Sequence, residues 1–281
     1  MNTEVSTPAT GRAGRNLPVA IGVGLGLGAL VLGTLYTFKP AFLGLVVVVI
    51  LIGLWELVRA LRVVSLSAPF VPIAAGAIAI LVLAYTNGRE AMTVAMVLTV
   101  LAVVVWRAAE GAEGMLPDIG ASLLALVYVA FLAGFAALML APHDGSRRVT
   151  AFVATVVASD VGGYAFGVLF GKHPMAPTVS PKKSWEGLLG SAIACAVCGL
   201  TLFVTLLHAQ WWQGALFGLA TVCTATLGDL GESMVKRDLG IKDMGTLLPG
   251  HGGLMDRLDS LLPTAPVAWM ILAGFVSVHG S

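Results

Sequence analysis

The segment Gly228–Ser260 combines the residue types that a metal-assisted phosphate reaction requires. It contains six acidic and four basic residues, although only 11% of the 281-residue chain is charged. Carboxylates can hold a divalent cation, while basic side chains and backbone N–H groups can bind phosphate. Long apolar segments flank this stretch, so its charges are not incidental surface polarity. We therefore expect this segment to carry the chemistry.

The spacing within the segment predicts a helix with a polar face and a second group of carboxylates further along. Four residues fall at i, i+3, i+4 and i+7: Asp229, Glu232, Ser233 and Lys236. Asp229 directly follows an apolar run, where a carboxylate needs a cation or a basic side chain. Asp256 and Asp259 stand at the predicted start of the last helical region. Asp229 and Asp256 would suit Mg²⁺, which takes hard oxygen ligands and leaves positions for phosphate and water.

A glycine-rich turn, Pro249–Gly253, lies between these two groups of carboxylates. Its backbone N–H groups can approach a phosphate because the glycines carry no Cβ. A solvated loop with local ion pairs is the ordinary alternative for such a charged segment. The position of the segment between apolar runs argues against that alternative.

The composition predicts how these residues are positioned. The chain is 58% hydrophobic, far outside the range of soluble domains. Its apolar runs of about 17–25 residues are the length at which a helix crosses a hydrocarbon core of ~30 Å, and they do not alternate with the period of a β-barrel strand. We predict an all-α, polytopic integral membrane protein. About nine transmembrane helices are expected, at 18–36, 41–62, 68–86, 90–107, 120–141, 149–171, 186–208, 212–230 and 264–280.

The basic residues predict the orientation of the chain. With a cytoplasmic N-terminus, the inner side holds twelve Lys and Arg residues and the outer side holds four, a clear positive-inside bias. The outer four are Lys39, Arg89, Arg147 and Arg148. The site is therefore expected to face the cytoplasm from the cell (inner) membrane, on the side where nucleotides are found.

The sequence also predicts a functional division of the chain. Residues 1–16 form a polar, disordered cytoplasmic N-terminus. Residues 17–148 are transmembrane helices with few polar groups inside them, Glu56 being the exception. Residues 149–281 form the catalytic transmembrane region, with cytoplasmic loops at 172–185 and 231–263.

The charged segment closely resembles the signature of the phosphatidate cytidylyltransferases, also called CDP-diacylglycerol synthases. That family has the pattern S-x-x-K-R, then K-D, then H-G-G-x-x-D-R-x-D. Every fixed position occurs here at its spacing: Ser233, Lys236, Arg237, Lys242, Asp243, His251, Gly252, Gly253, Asp256, Arg257 and Asp259.

A second cluster, Ser180–Gly187, is a basic loop with a tryptophan and with Ser184 as the N-cap of a helix. Taken alone it is an ordinary positive-inside anchor. It also resembles the family element S-P-K-K-[ST]-W-E-G, which implies that Lys182 or Lys183 contacts an anionic phosphate. Ser184 and Glu186 are expected to shape the loop.

A third cluster places Asp160 inside a predicted span, beside Gly162 and Gly163. An unpaired carboxylate in lipid is expensive, so Asp160 must face protein, water or a cation. The family has a comparable D-x-x-[AG]-Y-x-x-G element that lines its catalytic cavity. We expect Asp160 to line the site, and a purely structural polar contact is the alternative.

The resemblance implies the reaction CTP + phosphatidic acid → CDP-diacylglycerol + pyrophosphate. Asp229, Lys236 and Asp256 are the predicted catalytic residues, with Mg²⁺ on the two carboxylates. The predicted substrate-binding residues are Asp160, Lys182, Lys183, Ser233, Arg237, Lys242, His251, Gly252, Gly253, Arg257 and Asp259. Within this set the basic side chains neutralise phosphate charge and the glycines cradle it. Asp259 is expected to hold Arg257 or a second cation.

Other functions remain open from the sequence. The same logic would serve a cytidylyltransferase or a CTP-dependent kinase acting on another membrane lipid. A cation-coupled transporter using Asp160 and Asp229 is disfavoured, since the densest charge is not at the membrane midplane and no paired broken helices are apparent. The expected partners are CTP and bilayer phosphatidic acid, with no nucleic acid. A homodimer is compatible with this class of enzyme.

Overall fold

The structure is a computed structural model that describes residues 17–245 and 253–276. The predicted disordered segment 1–16 lies outside these residues. The helices are α1 Leu17–Thr37, α2 Lys39–Leu61, α3 Phe70–Glu110, α4 Met115–Ala125, α5 Leu132–Leu140, α6 Gly145–Phe170, α7 Trp185–Thr205, α8 Trp211–Asp238 and α9 Leu261–Phe275. The chain divides into two compact units, Met1–Phe42, which contains α1, and Leu43–Ser281.

The helices confirm an all-α polytopic membrane protein. Within the described residues, six helical runs are long and apolar enough to cross a membrane: Lys39–Val64, Phe70–Glu110, Met115–Leu140, Gly145–Phe170, Trp185–Thr205 and Trp211–Asp238. Two further apolar stretches, Gly28–Thr37 within α1 and Leu261–Phe275, are shorter. The count of nine crossings and the cytoplasmic N-terminus stay predictions.

Helix α3 is a hairpin of two helical arms. Gly88, with φ +83° and ψ −166°, breaks the helical backbone between them. Gly76 on the first arm packs so closely against Thr99 on the second that an added Cβ would collide with the threonine side chain. In one straight helix these residues would be about 35 Å apart, at a rise of 1.5 Å per residue. The chain therefore reverses at Gly88, and the two arms correspond to the predicted spans 68–86 and 90–107.

The predicted span 120–141 is one helical run with an irregular centre. Between α4 and α5, residues Leu126–Phe131 adopt a π-helix. A π-helical turn inserts an extra residue into a helix and often marks a functional site. Here it contains Tyr128, whose hydroxyl lies 3.4 Å from the carbonyl oxygen of Gly228 on α8.

Helices α6, α7 and α8 pack backbone to backbone through small residues. An added Cβ at Gly162 on α6 would collide with Ala194 and the Gly190 carbonyl on α7. Gly199 on α7 and Gly214 on α8 approach each other in the same way. Such close contacts between small residues are typical of helix packing in membranes, and they bring the helices carrying the predicted site together.

The predicted loop 172–185 contains a short antiparallel hairpin, β1 Pro174–Ala176 and β2 Ser180–Ser184. Ser184 caps α7, because its hydroxyl accepts a hydrogen bond from Gly187 N at 3.1 Å. The Glu186 carboxylate accepts from the backbone N–H groups of Lys172 and His173, at 3.1 and 3.3 Å. Both side chains thus shape this connection, which confirms that prediction.

Candidate active site

Helix α8 supplies the central part of the site. It continues to Asp238, so residues predicted to open a loop at 231 are helical. Asp229, Glu232 and Lys236 lie on it at the expected helical spacing. Glu232 is buried, and Lys236 Nζ donates to its Oε1 at 3.2 Å. The predicted polar face therefore exists, with a buried ion pair within it.

Asp256 lies on a 3₁₀ turn, Met255–Arg257, rather than on a helix. The prediction that it stands in the last helix is wrong, because α9 begins only at Leu261. Its carboxylate accepts hydrogen bonds from Lys236 Nζ at 2.8 Å, Gly253 N at 2.9 Å and Met244 N at 3.0 Å. Burial raises the pKa of Asp256, but these hydrogen bonds outweigh it and hold the pKa below its ordinary value.

Asp259 follows in the same turn region, and its pKa is shifted in the opposite direction to that of Asp256. Ser260 N donates to its Oδ1 at 2.7 Å. Burial, and next the Asp229 carboxylate, raise the pKa of Asp259 to about 7. A role of Asp259 toward Arg257 or a second cation stays a prediction.

A cavity of about 310 Å³ opens between α6, α7, α8 and the β-hairpin. Asp160 reaches it from α6, Lys182 and Lys183 from β2, and Asp229 from α8. Lys183 Nζ forms an ion pair with the Asp229 carboxylate. Other lining residues include Ser159, Tyr164, Ser191 and Thr226. The structure thus brings together the basic loop Ser180–Gly187, the cluster around Asp160 and the start of the charged segment at Asp229.

The other predicted substrate-binding residues lie outside the lining of this cavity. Ser233 is half-buried on α8, while Arg237, Lys242 and Arg257 are exposed. Gly253 is buried and gives its N–H to Asp256. His251 and Gly252 lie outside the described residues, so their predicted contact with phosphate stays a prediction.

Three residues near the site were not assigned to it from the sequence. Glu232 lay on the predicted helix face, and its burial beside Lys236 marks it as part of the charged cluster. Tyr128 contacts the backbone next to Asp229, and nothing in its own sequence context indicated this. Glu56 was recognisable as a carboxylate inside an apolar span, which is costly without a partner. Its partner lies 199 residues away, at Met255.

The charged cluster fits a divalent cation. Its carboxylates are hard oxygen donors, and Glu232 Oε2 is buried without a hydrogen-bond partner among the described residues. Such an atom is a hard oxygen acceptor that a hydrogen-bond donor or a cation would satisfy. In the described part of the chain, no three His, Cys, Asp or Glu side chains are grouped to hold a metal by themselves. The expectation that Asp229 and Asp256 hold Mg²⁺ stays a prediction.

Comparison with known proteins identifies the class. The Cytidylyltransferase family matches residues 19–275, which is most of the chain, and the chain belongs to this family. It is similar to the phosphatidate cytidylyltransferase of Mycobacterium bovis, at 43% identity over 277 residues, covering 94% of this chain and 90% of that protein. The phosphatidate cytidylyltransferase of Mycobacterium leprae is 43% identical, with coverages of 95% and 91%. That of Helicobacter pylori is 38% identical over 185 residues, with coverages of 64% and 65%.

Proposed function

We propose that this protein transfers the cytidylyl group of CTP to phosphatidic acid, releasing pyrophosphate and leaving CDP-diacylglycerol in the membrane. Family membership over most of the chain supports the reaction type. The single structural observation that carries the proposal is the layout of α8. This helix presents Asp229 to the cavity and, two turns later, Lys236 to Asp256. Helix α8 thus carries a carboxylate suited to a cation, Asp229, and an ammonium group suited to phosphate, Lys236.

The charges suit two polyanionic substrates. CTP and phosphatidic acid repel each other, so the site must supply positive charge where their phosphates meet. Lys182 and Lys183 line the cavity on β2, whose backbone is held by the Ser184 cap and by Glu186. We assign these lysines to phosphate binding. The cavity lies among membrane-spanning helices, where the acyl chains can stay in the bilayer.

The reaction needs no general base on the protein, because a phosphate monoester is already ionised near neutral pH. A phosphate oxygen of phosphatidic acid attacks the α-phosphorus of CTP in line. The bond between the α-phosphorus and the bridging oxygen to the β-phosphate breaks, and pyrophosphate leaves with that electron pair. Lys183 and Lys236 would stabilise the charge that develops on the phosphate oxygens.

We further propose Mg²⁺ as the cofactor, held by Asp229 and Asp256. When bound, it would offset the triphosphate charge and make pyrophosphate a better leaving group. Asp256 is suited to the role because its hydrogen bonds favour the ionised carboxylate. The positive-inside bias supports a site on the cytoplasmic face of the membrane. Homodimer formation stays a prediction.

The test measures pyrophosphate release by the purified protein in mixed micelles containing CTP, phosphatidic acid and Mg²⁺. Asp229→Asn and Asp256→Asn should each reduce turnover by about 100-fold or more. Asp238→Asn is the matched control, since Asp238 is an exposed carboxylate at the end of the same helix. A chelator should abolish release, and added Mg²⁺ should restore it.

A panel of acceptor lipids tests the substrate. Phosphatidic acid should be converted, while a polyprenyl phosphate and diacylglycerol should not. Preferred use of either of the latter would replace the proposed reaction with another lipid transfer. Absence of pyrophosphate release with every acceptor, in several detergents and lipids, would refute the proposed function.

A further inference from the structure

Glu56 is a buried carboxylate that the proposed reaction does not use. It lies near the end of α2, within a long apolar run, and is 1% exposed. An ionisable group at such a position is expensive, so its retention has to be explained by what it binds.

The Glu56 carboxylate lies against the backbone that carries Asp256. Its Oε2 accepts a hydrogen bond from Met255 N at 2.8 Å. A Cβ placed on Gly253 would lie 2.7 Å from this oxygen and 2.9 Å from Asp256 Oδ2, and a Cβ on Gly245 would collide with Oε1. Both glycines are therefore required for the carboxylate to approach so closely. Oε1 has no hydrogen-bond partner within residues 17–245 and 253–276.

The two carboxylates, of Asp256 and Glu56, accept hydrogen bonds from different backbone N–H groups around the Met255–Arg257 turn. Asp256 accepts from Gly253 N and Met244 N, and Glu56 accepts from Met255 N, directly before Asp256. Helix α2 is close to this turn at a second point, because a Cβ on Gly53 would lie 3.3 Å from Leu258 Cδ1. A helix from the first half of the chain thus fixes the backbone on which Asp256 is mounted.

We propose that Glu56 is a positioning residue for cytidylyl transfer, which holds the Met255–Arg257 turn so that Asp256 faces Lys236. This inference rests on the proposed function. Residues that orient a metal-binding carboxylate typically change activity or metal affinity by 10–100-fold when they are removed. Glu56 acts through the Met255 N–H rather than by touching the substrate.

The test compares Glu56→Ala with Glu56→Gln. Glu56→Ala removes the acceptor, and kcat should fall about 30-fold, while KM for CTP changes less than threefold and the thermal midpoint in detergent stays within a few degrees. The Mg²⁺ concentration for half-maximal activity should rise about tenfold. Glu56→Gln keeps an oxygen for the Met255 N–H and should retain activity within fivefold of the wild type. Glu90→Ala, an exposed glutamate at the α3 hairpin, is the control.

The outcomes separate this inference from the proposed function. If wild-type protein releases no pyrophosphate, the function fails. If wild type is active and Glu56→Ala keeps its kcat within twofold, the positioning role is wrong. Equal losses in Glu56→Gln and Glu56→Ala would also overturn it, because the charge rather than the acceptor would then matter. Should Glu56→Ala not fold, Gly245→Ala pushes a methyl group against the Glu56 carboxylate, at a glycine with no predicted role in phosphate binding. It should lower kcat more than tenfold, and near-wild-type activity would contradict the proposal.

Discussion

Replacing Lys236 with methionine should destabilise the protein strongly, because this ammonium serves two carboxylates at once. It lies 3.2 Å from Glu232 Oε1 and 2.8 Å from Asp256 Oδ1, and the Glu232 side chain is 0% exposed. Removing one partner of a buried ion pair leaves an uncompensated charge and costs about 3–5 kcal/mol. Asp256 keeps two backbone N–H donors, so most of the cost falls on Glu232.

A double variant tests whether the unpaired Glu232 carboxylate causes the loss of stability. In Glu232→Gln/Lys236→Met the buried side chain is a neutral amide that no longer needs the ammonium. At least half of the lost stability should return, by about 2 kcal/mol or more. Pyrophosphate release should stay reduced by about 100-fold or more in both variants, because neither can stabilise phosphate charge at this position. The double variant would then regain stability without regaining activity.

The measurement is thermal unfolding in detergent with a chelator present, so that no divalent cation replaces the lost charge. A loss of 3–5 kcal/mol corresponds to a fall in the midpoint on the order of 10 °C. Lys172→Met, which removes an exposed lysine, should change stability by less than about 0.5 kcal/mol. The reasoning is refuted if Lys236→Met behaves like Lys172→Met, or if adding Glu232→Gln restores nothing.

Three further predictions concern the fold and its pH dependence. Gly76→Ala should lower the free energy of unfolding by about 1–3 kcal/mol, because the new methyl group meets Thr99. Gly120→Ala, with open space at its Cβ, is the control and should be neutral or stabilising. Equal thermal midpoints for the two variants would contradict the α3 hairpin. Ser184→Ala should cost about 1 kcal/mol and Ser184→Gly only a few tenths, and a similar loss for both would contradict the capping role. Asp259 has its pKa raised to about 7, so the folded state binds more protons than the unfolded state between about pH 4 and 7. Its contribution to stability in chelator should therefore fall as pH rises through this window, and Asp259→Asn should remove about 1–3 kcal/mol of that fall; identical pH profiles would show that its carboxyl is not perturbed.

Much of the fold could be predicted from the sequence, because in a membrane each apolar run must satisfy its own backbone as a helix. Most predicted spans therefore correspond to described helices, and the break near Gly88 falls where glycine and polar residues interrupt two apolar runs. The π-helix at Leu126–Phe131 could not be predicted, since its residues are ordinary helix-compatible apolar residues. The β-hairpin at 174–184 also escaped prediction, because its strands are too short to show a periodicity.

The site was predictable where its geometry is local. The spacing of Asp229, Glu232 and Lys236 fixes a shared helix face, and this part is confirmed. The placement of Asp256 was wrong, because i, i+3 spacing fits a 3₁₀ turn as well as a helix start. The contact between Glu56 and Met255 depends on how α2 packs against a turn 199 residues later, and no spacing along the chain encodes it.

If Lys183 binds phosphate and Asp229 binds the cation, as proposed, nucleotide binding and cation binding are expected to be coupled. Lys183 pairs with Asp229 across the cavity, so a triphosphate that attracts Lys183 leaves Asp229 free for a cation. By linkage, a cation on Asp229 must favour phosphate binding at Lys183 by the same factor, typically 5–150-fold.

The coupling can be measured from CTP dissociation constants at low and saturating Mg²⁺. Formation of the Mg²⁺–CTP complex in solution contributes equally in every variant. A Lys183→Met variant should therefore bind CTP more weakly and also show a severalfold smaller Mg²⁺ effect than the wild type. An unchanged Mg²⁺ effect would mean that the lysine and the carboxylate act independently. Exchange between these ion pairs would then not be part of substrate binding.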